Sequence, residues 1–114
     1  MTTMTTTTTI NVAKDFSKYP GGRYLSDGDY SGQRFRDEML VPALRSAQNT
    51  KEKLTVELDG TLGYGSSFLE EAFGGLVREA GFSADELKGV LVLDTTNNSL
   101  RYTILDFISK AKSK

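Results

Sequence analysis

Five side chains in this sequence could do chemistry together: Arg23, Ser66, Ser67, Glu70 and Glu71. A serine hydroxyl can carry a phosphate, a carboxylate pair can do acid–base work, and an arginine offers a planar fork for phosphate or carboxylate. Both glutamates follow the serines in "GYGSSFLEEAFGGL", residues 63–76, where a glycine-bracketed serine pair leads into an apolar helical run. An enzyme or small-ligand site here would need the Arg23 segment and this helix to converge on a concave pocket. Adjacent helical positions point about 100° apart, so Glu70 and Glu71 do not form a facing dyad, and a catalytic role is not expected.

A simpler reading of the same residues is structural. Ser67 and Glu70 stand three apart before an apolar face, the spacing of a capping box in which hydroxyl and carboxylate satisfy backbone N–H groups of the first turn. Such a cap contributes on the order of 1 kcal/mol, and both glutamates would sit near the positive end of the helix dipole.

The second cluster of candidates is "PGGR" with "GQRFR": Gly21, Gly22, Arg23, Arg34 and Arg36. The glycines allow close backbone approach or positive φ, but the full pattern of a phosphate-binding loop is missing, so a tight turn with surface ion pairs is expected. Arg23, Arg34 or Arg36 could each pair with Glu70 or Glu71 across the fold. Gly74 and Gly75 interrupt an otherwise apolar helix at about 1 kcal/mol each, which points to close packing of that helix on the sheet or on a partner.

The elements that must hold these residues can be read from periodicity. Ile10, Val12 and Phe16 share one face at a period near two, and a Pro-Gly-Gly turn follows, so residues from 10 to about 24 read as an opening β-hairpin or ribbon. Phe35, Met39, Leu40, Ala43, Leu44 and Ala47 recur at helical spacing over about 32–47, with Ser31 as cap and Pro42 expected to bend the helix or delimit its first portion. Leu54, Val56 and Leu58 alternate with Thr55, Glu57 and Asp59, which is a half-buried strand. Phe68, Ala72, Phe73, Leu76, Val77 and Ala80 make a second helix over about 67–80, released at Gly81. "GVLVLDT" reads as a strand covered on both faces, and Leu100, Ile104, Phe107, Ile108 and Ala111 mark a third helix. The order β-β-α-β-α-β-α implies an α/β fold: a mixed, mainly parallel four-stranded sheet with about three helices and right-handed crossovers.

Composition bounds the rest. With 114 residues, 38% hydrophobic and 25% charged, the chain fits one domain with a single core. "MTTMTTTTT" has little to bury, so residues 1–9 read as a disordered Thr-rich tail and 10–114 as the domain. A net charge of −1 provides no excess positive charge for general nucleic-acid binding. The absence of Cys and His removes disulfides, thiolate chemistry, the commonest general base and most transition-metal sites. No cofactor or metal is implied. No apolar run approaches the ~18–20 residues of a membrane span, and the amino terminus lacks a signal core, so a cytoplasmic protein is expected.

The spaced set "YPGGRY", "SGQRFRDEML", "ELDG" and "SSFLEEAFGGL" resembles a small bacterial STAS-like domain family of uncharacterised function over nearly all of the chain after the threonine tail. STAS domains include anti-anti-sigma factors. These bind serine kinases with an ATP-binding domain and accept a phosphate on a serine at the start of the helix after a central strand. The resemblance implies a regulatory protein-interaction module with a kinase-like ATP-binding partner. It places the candidate phosphoacceptor on Ser66 or Ser67, here preceded by Gly65 and followed by Phe68.

Overall fold

The computed structural model describes residues 7–112; the disorder expected of residues 1–6 lies outside the described residues. Three strands, β1 (Thr7–Asn11), β2 (Lys53–Glu57) and β3 (Leu91–Asp94), form one sheet in the order β1-β2-β3. Both pairings are parallel, with Ile10 beside Val56 and Val56 beside Leu93. Laid down in sequential order, parallel strands joined by right-handed crossovers receive their helices on the same face. Burial follows that rule. Leu54, Val56, Leu58, Ile10 and Leu93 are buried, while Thr9 is exposed, Thr55 is half-buried and Val92 is 38% exposed on the opposite face.

Helix α1 runs continuously through residues 32–50, and α2 through 66–78. A shorter helix, α3 (Ala84–Val90), precedes β3, and α4 (Asn98–Lys110) follows it. Phe35, Leu40 and Leu44 of α1, Phe68, Phe73 and Leu76 of α2, and Ile104 and Ile108 of α4 are buried in one core with the sheet. Phe107 is only partly buried at its edge.

Several expectations hold. Ser31 Oγ accepts the Arg34 N–H at 3.1 Å and caps α1. Gly81 takes a left-handed φ of +85° after α2. Pro42 does not end α1; the preceding stretch Phe35–Leu40 is π-helical, with Val41 N–H reaching Arg36 O, and this wider turn absorbs the missing donor and the ring of Pro42. The strands expected near 54–58 and 89–94 do pair in parallel, as Lys53–Glu57 and Leu91–Asp94.

Others are corrected. The described residues hold three strands rather than four, and no opening ribbon. Asn11 Oδ1 accepts the Lys14 N–H and Asp15 Oδ2 accepts the Asn11 N–H, so the chain leaves β1 into a π-helical turn at Val12–Phe16. The strand itself includes Thr7, Thr8 and Thr9, which pair with Lys53, Leu54 and Thr55, so the expected tail–domain boundary at residue 10 falls inside β1. The run "GVLV" is the end of α3 joined to β3, and β3 is covered on one face only. α3 begins with a capping box: Ser83 Oγ accepts the Glu86 N–H at 3.0 Å and Glu86 Oε1 accepts the Ser83 N–H at 2.8 Å.

Candidate functional site

The carboxyl edge of a parallel sheet is where loops gather and where sites are usually built. Here β1 leads into the loop of residues 17–31, and β2 leads into residues 58–65. The first loop is a ten-residue excursion from Gly21 to Tyr30 with a tied neck: Gly21 N–H donates to Tyr30 O at 3.0 Å, Gly32 N–H to Gly22 O at 2.9 Å and Gln33 N–H to Arg23 O at 3.0 Å. The two loops touch where Leu62 N–H donates to Lys18 O at 3.0 Å. Beneath them, the rings of Phe16, Phe35 and Phe68 pack in sequence, the first pair tilted and the second stacked, with centroids 5.0 and 5.8 Å apart, and Tyr64 lies 5.9 Å from Phe68. This aromatic layer fixes both loops to α1 and α2.

Arg23 leaves the neck of the loop and donates to Glu70 and, at 3.2 Å, to Glu71. Arg36, from the π-helical turn of α1, donates to Glu71 Oε2 at 2.5 Å and to Glu71 O at 3.1 Å. Arg78, two turns further along α2, donates to Glu70 Oε2 at 2.6 Å and to Glu71 Oε1 at 3.1 Å. Both glutamates lie in the π-helical stretch Glu70–Gly74 of α2. Three guanidinium groups from a loop and two helices therefore converge on two adjacent carboxylates. Burial alone would push the Glu70 carboxyl up, but the hydrogen bonds from Arg78 and Arg23 outweigh it and hold Glu70 below the usual carboxylate range. The Arg36 guanidinium is held above its ordinary value, because Asp37 and Glu71 outweigh a desolvation that would lower it.

The sequence-level candidates are thus divided. Arg23 and Arg36 join Glu70 and Glu71 as one of the expected alternatives. Arg34 does not: it donates to Glu38 Oε2 at 3.1 Å and to Asp29 O at 2.8 Å, on its own side of α1. Gly21 and Gly22 serve the loop neck, with Gly22 at φ +88°. The Ser67–Glu70 capping box is absent. Gly65 occupies the cap position without a side-chain bond, and Glu70 is drawn off by Arg23 and Arg78. Ser66 and Ser67 are exposed, and neither hydroxyl makes a hydrogen bond among the described residues.

Arg78 was missed by sequence reasoning, whereas Gly75 was expected only as a position of close packing. Glu71, Gly75 and Arg78 follow one stripe of α2 at helical spacing, which was the available signal. A Cβ on Gly75 would collide with Nη1 and Cδ of Arg36, so the gap at Gly75 is the port through which Arg36 reaches Glu71. Gly74 faces Glu70 and the backbone of α4.

Two further groups close the sheet edge. Tyr64 donates its hydroxyl to Leu58 O at 2.6 Å, and burial pushes its phenol up to about 12. Asp59 accepts from Thr95 Oγ1 at 2.6 Å and from Thr96 N–H at 3.0 Å, and these bonds hold its carboxyl below the usual range. They join the end of β2 to the turn before α4. Among the described residues there is no group of three His, Cys, Asp or Glu placed to hold a metal ion, and no helix long and apolar enough to cross a membrane.

The same edge is rich in exposed apolar side chains. Tyr19 is 68% exposed and Leu62 79%, with Tyr24, Leu25 and Tyr30 also exposed, all from the two loops that flank Ser66 and Ser67. No curated protein and no solved structure matches the chain. The family model described as STAS-like domain of unknown function (DUF4325) matches residues 31–101, from the cap of α1 to the first turn of α4 and well over half of the chain. The chain therefore belongs to this family of STAS-like domains.

Proposed function

We propose that this domain is a protein-interaction module without catalytic activity of its own, and that it meets its partner with the two loops at the carboxyl edge of β1 and β2. The observation that carries this reading is the set of exposed apolar side chains there: Tyr19, Tyr24, Leu25, Tyr30 and Leu62. A small domain does not leave that many large side chains in water on adjoining loops without a use for them, and tyrosines on tied loops contribute contact area at low entropic cost.

The internal arrangement of charge supports the same conclusion. An acid–base or anion site built from Arg23, Ser66, Ser67, Glu70 and Glu71 needs free groups. Glu71 is instead enclosed by three guanidinium groups with 4% of its side chain exposed, and Glu70 is shared by two. The hollows between α3 and α4 and beside Gly81 are lined by none of these residues. The cluster is a clasp that sets the loop of Arg23 against α2.

Ser66 and Ser67 are the regulatory element in this reading. They are exposed, free of a capping duty and at the amino end of α2, the helix that follows the central strand, where the STAS resemblance implies a phosphoacceptor. The helix dipole favours a phosphate there, while the charge would lie at the centre of the loop surface and weaken apolar docking. The partner class is a kinase-like ATP-binding protein.

Affinity capture from the native host, with and without ATP, tests the reading. A specific partner retained by the wild-type chain and lost with Leu25→Asp is expected, with phosphate on Ser66 or Ser67 in protein from that host. Equal retention by both chains would overturn the surface, and unmodified serines under all growth conditions would remove the switch.

A further inference from the structure

A different hollow lies away from the loops. α3 packs on the sheet and on α1, whereas α4 packs on α2, so the two helices diverge. Between them is a half-open trough of about 400 Å³. Leu87 and Leu91 line one side, and Leu105 and Ile108 the other, with Tyr102 at the rim. Tyr102 is 78% exposed and Leu105 46% exposed, although both sit in the middle of an ordered helix. The volume falls in the range of small-molecule sites, about 300–1,000 Å³, and the lining is apolar with few polar groups, as such sites are.

Charge narrows the occupant. Asp106 at the trough is neutralised by Lys110 at 3.2 Å on the next turn of α4. Lys88 on α3 has no ion-pair partner among the described residues. An entering molecule therefore meets aliphatic walls and one uncompensated positive charge. The walls extend along α4 from Tyr102 to Ser109. That is about 10 Å at the rise of a helix, the length of a chain of about eight carbons. A protein partner would need a patch of roughly 800 Å² on each side, which a hollow of this length does not supply.

We propose that the trough binds a small amphiphilic carboxylate, with its aliphatic body on Leu87, Leu91, Leu105 and Ile108 and its carboxylate on Lys88 Nζ. Loss of water from the exposed Leu105 and the floor drives binding, and Lys88 selects the anion over a neutral or cationic head. This site shares no residue with the loop surface, so either can fail without the other.

Titrating the full chain with octanoate, octanol and octylamine, and following backbone amide shifts, tests it. Octanoate should produce saturable shifts confined to residues 84–91 and 102–109 and bind more tightly than octanol, with octylamine weakest. Lys88→Gln should weaken octanoate roughly threefold, the scale of an exposed ion pair, and leave octanol unchanged. Leu105→Gln, at a position open enough to keep the fold, should weaken both. The proposal is overturned by octanoate shifts that are absent or fall elsewhere, by octylamine binding as tightly as octanoate, or by an unchanged octanoate affinity in Lys88→Gln. Concentration-dependent self-association that buries Tyr102 and Leu105 would overturn it as well.

Discussion

Arg36 and Glu71 meet at 2.5 Å with only 6% and 4% of their side chains exposed. The pair joins the π-helical turns of α1 and α2 across the core, and Glu71 O accepts a second bond from the same guanidinium at 3.1 Å. Each partner also has a more exposed neighbour, Asp37 for Arg36 and Arg78 for Glu71, so neither charge is left uncompensated.

Removing one member takes away the buried contact and leaves the other with only its more exposed neighbours. Glu71→Leu or Arg36→Met alone should destabilise the fold by about 3–5 kcal/mol, while the double replacement recovers most of that loss. Denaturant unfolding of the two single variants and the double variant checks this. Gly75→Ala should be destabilising by about 1–3 kcal/mol in the Arg36 background, because its methyl occupies the space of that side chain. In Arg36→Met the penalty should shrink.

Glu70 gives the clasp a pH signature. Its folded carboxyl titrates below the ordinary value of 4.5, so its contribution is complete above that value and is lost as pH falls through the lower, folded one. Thermal unfolding followed from neutral pH to below 4.5 should show an acid limb that becomes shallower in Glu70→Gln. An identical limb in both proteins would mean that Arg23 and Arg78 do not hold Glu70 in solution.

Tyr64 gives the opposite limb. Its phenol ionises near 12 in the fold against 10.0 when unperturbed, so the folded state holds its proton longer than the unfolded state and stability falls as pH rises through that interval. Tyrosinate absorbance should show one of the tyrosines titrating late, and Tyr64→Phe should remove that step. The same change strips Leu58 O of its partner, at a cost of about 1 kcal/mol.

The two S-x-x-E sequences separate what was legible from what was not. Ser67–Glu70 and Ser83–Glu86 carry the same capping signature, and only the second forms the box. Local pattern cannot distinguish them, because the difference is tertiary: Arg23 and Arg78 capture Glu70, and no cation competes for Glu86 in the same way. The strand Leu54–Leu58 and the buried stripe of Phe68, Phe73 and Leu76 were legible because one face of each meets the core, leaving a clean period. α3 was hidden because its last residue, Val90, runs without a polar break into the strand residues Leu91, Val92 and Leu93. The pairing of Arg23 and Arg36 with the glutamates was legible as one of several alternatives; Arg78 was not, since it lies on α2 itself, two turns beyond the carboxylates it joins. Ser83→Ala should accordingly cost about 1 kcal/mol in chemical denaturation, and Ser67→Ala close to nothing.

The central claim is that partners bind at the exposed loop side chains beside Ser66 and Ser67. Its most direct measurement is the dissociation constant of the captured partner for four folded chains: wild type, Leu62→Asp, Ser67→Asp and, on α4 outside the two loops, Tyr102→Ser. The expected result is at least a tenfold loss for Leu62→Asp, whose side chain is 79% exposed and therefore dispensable to the core, with a clear loss for Ser67→Asp and no change for Tyr102→Ser. Unchanged affinity in both Leu62→Asp and Ser67→Asp would contradict the account.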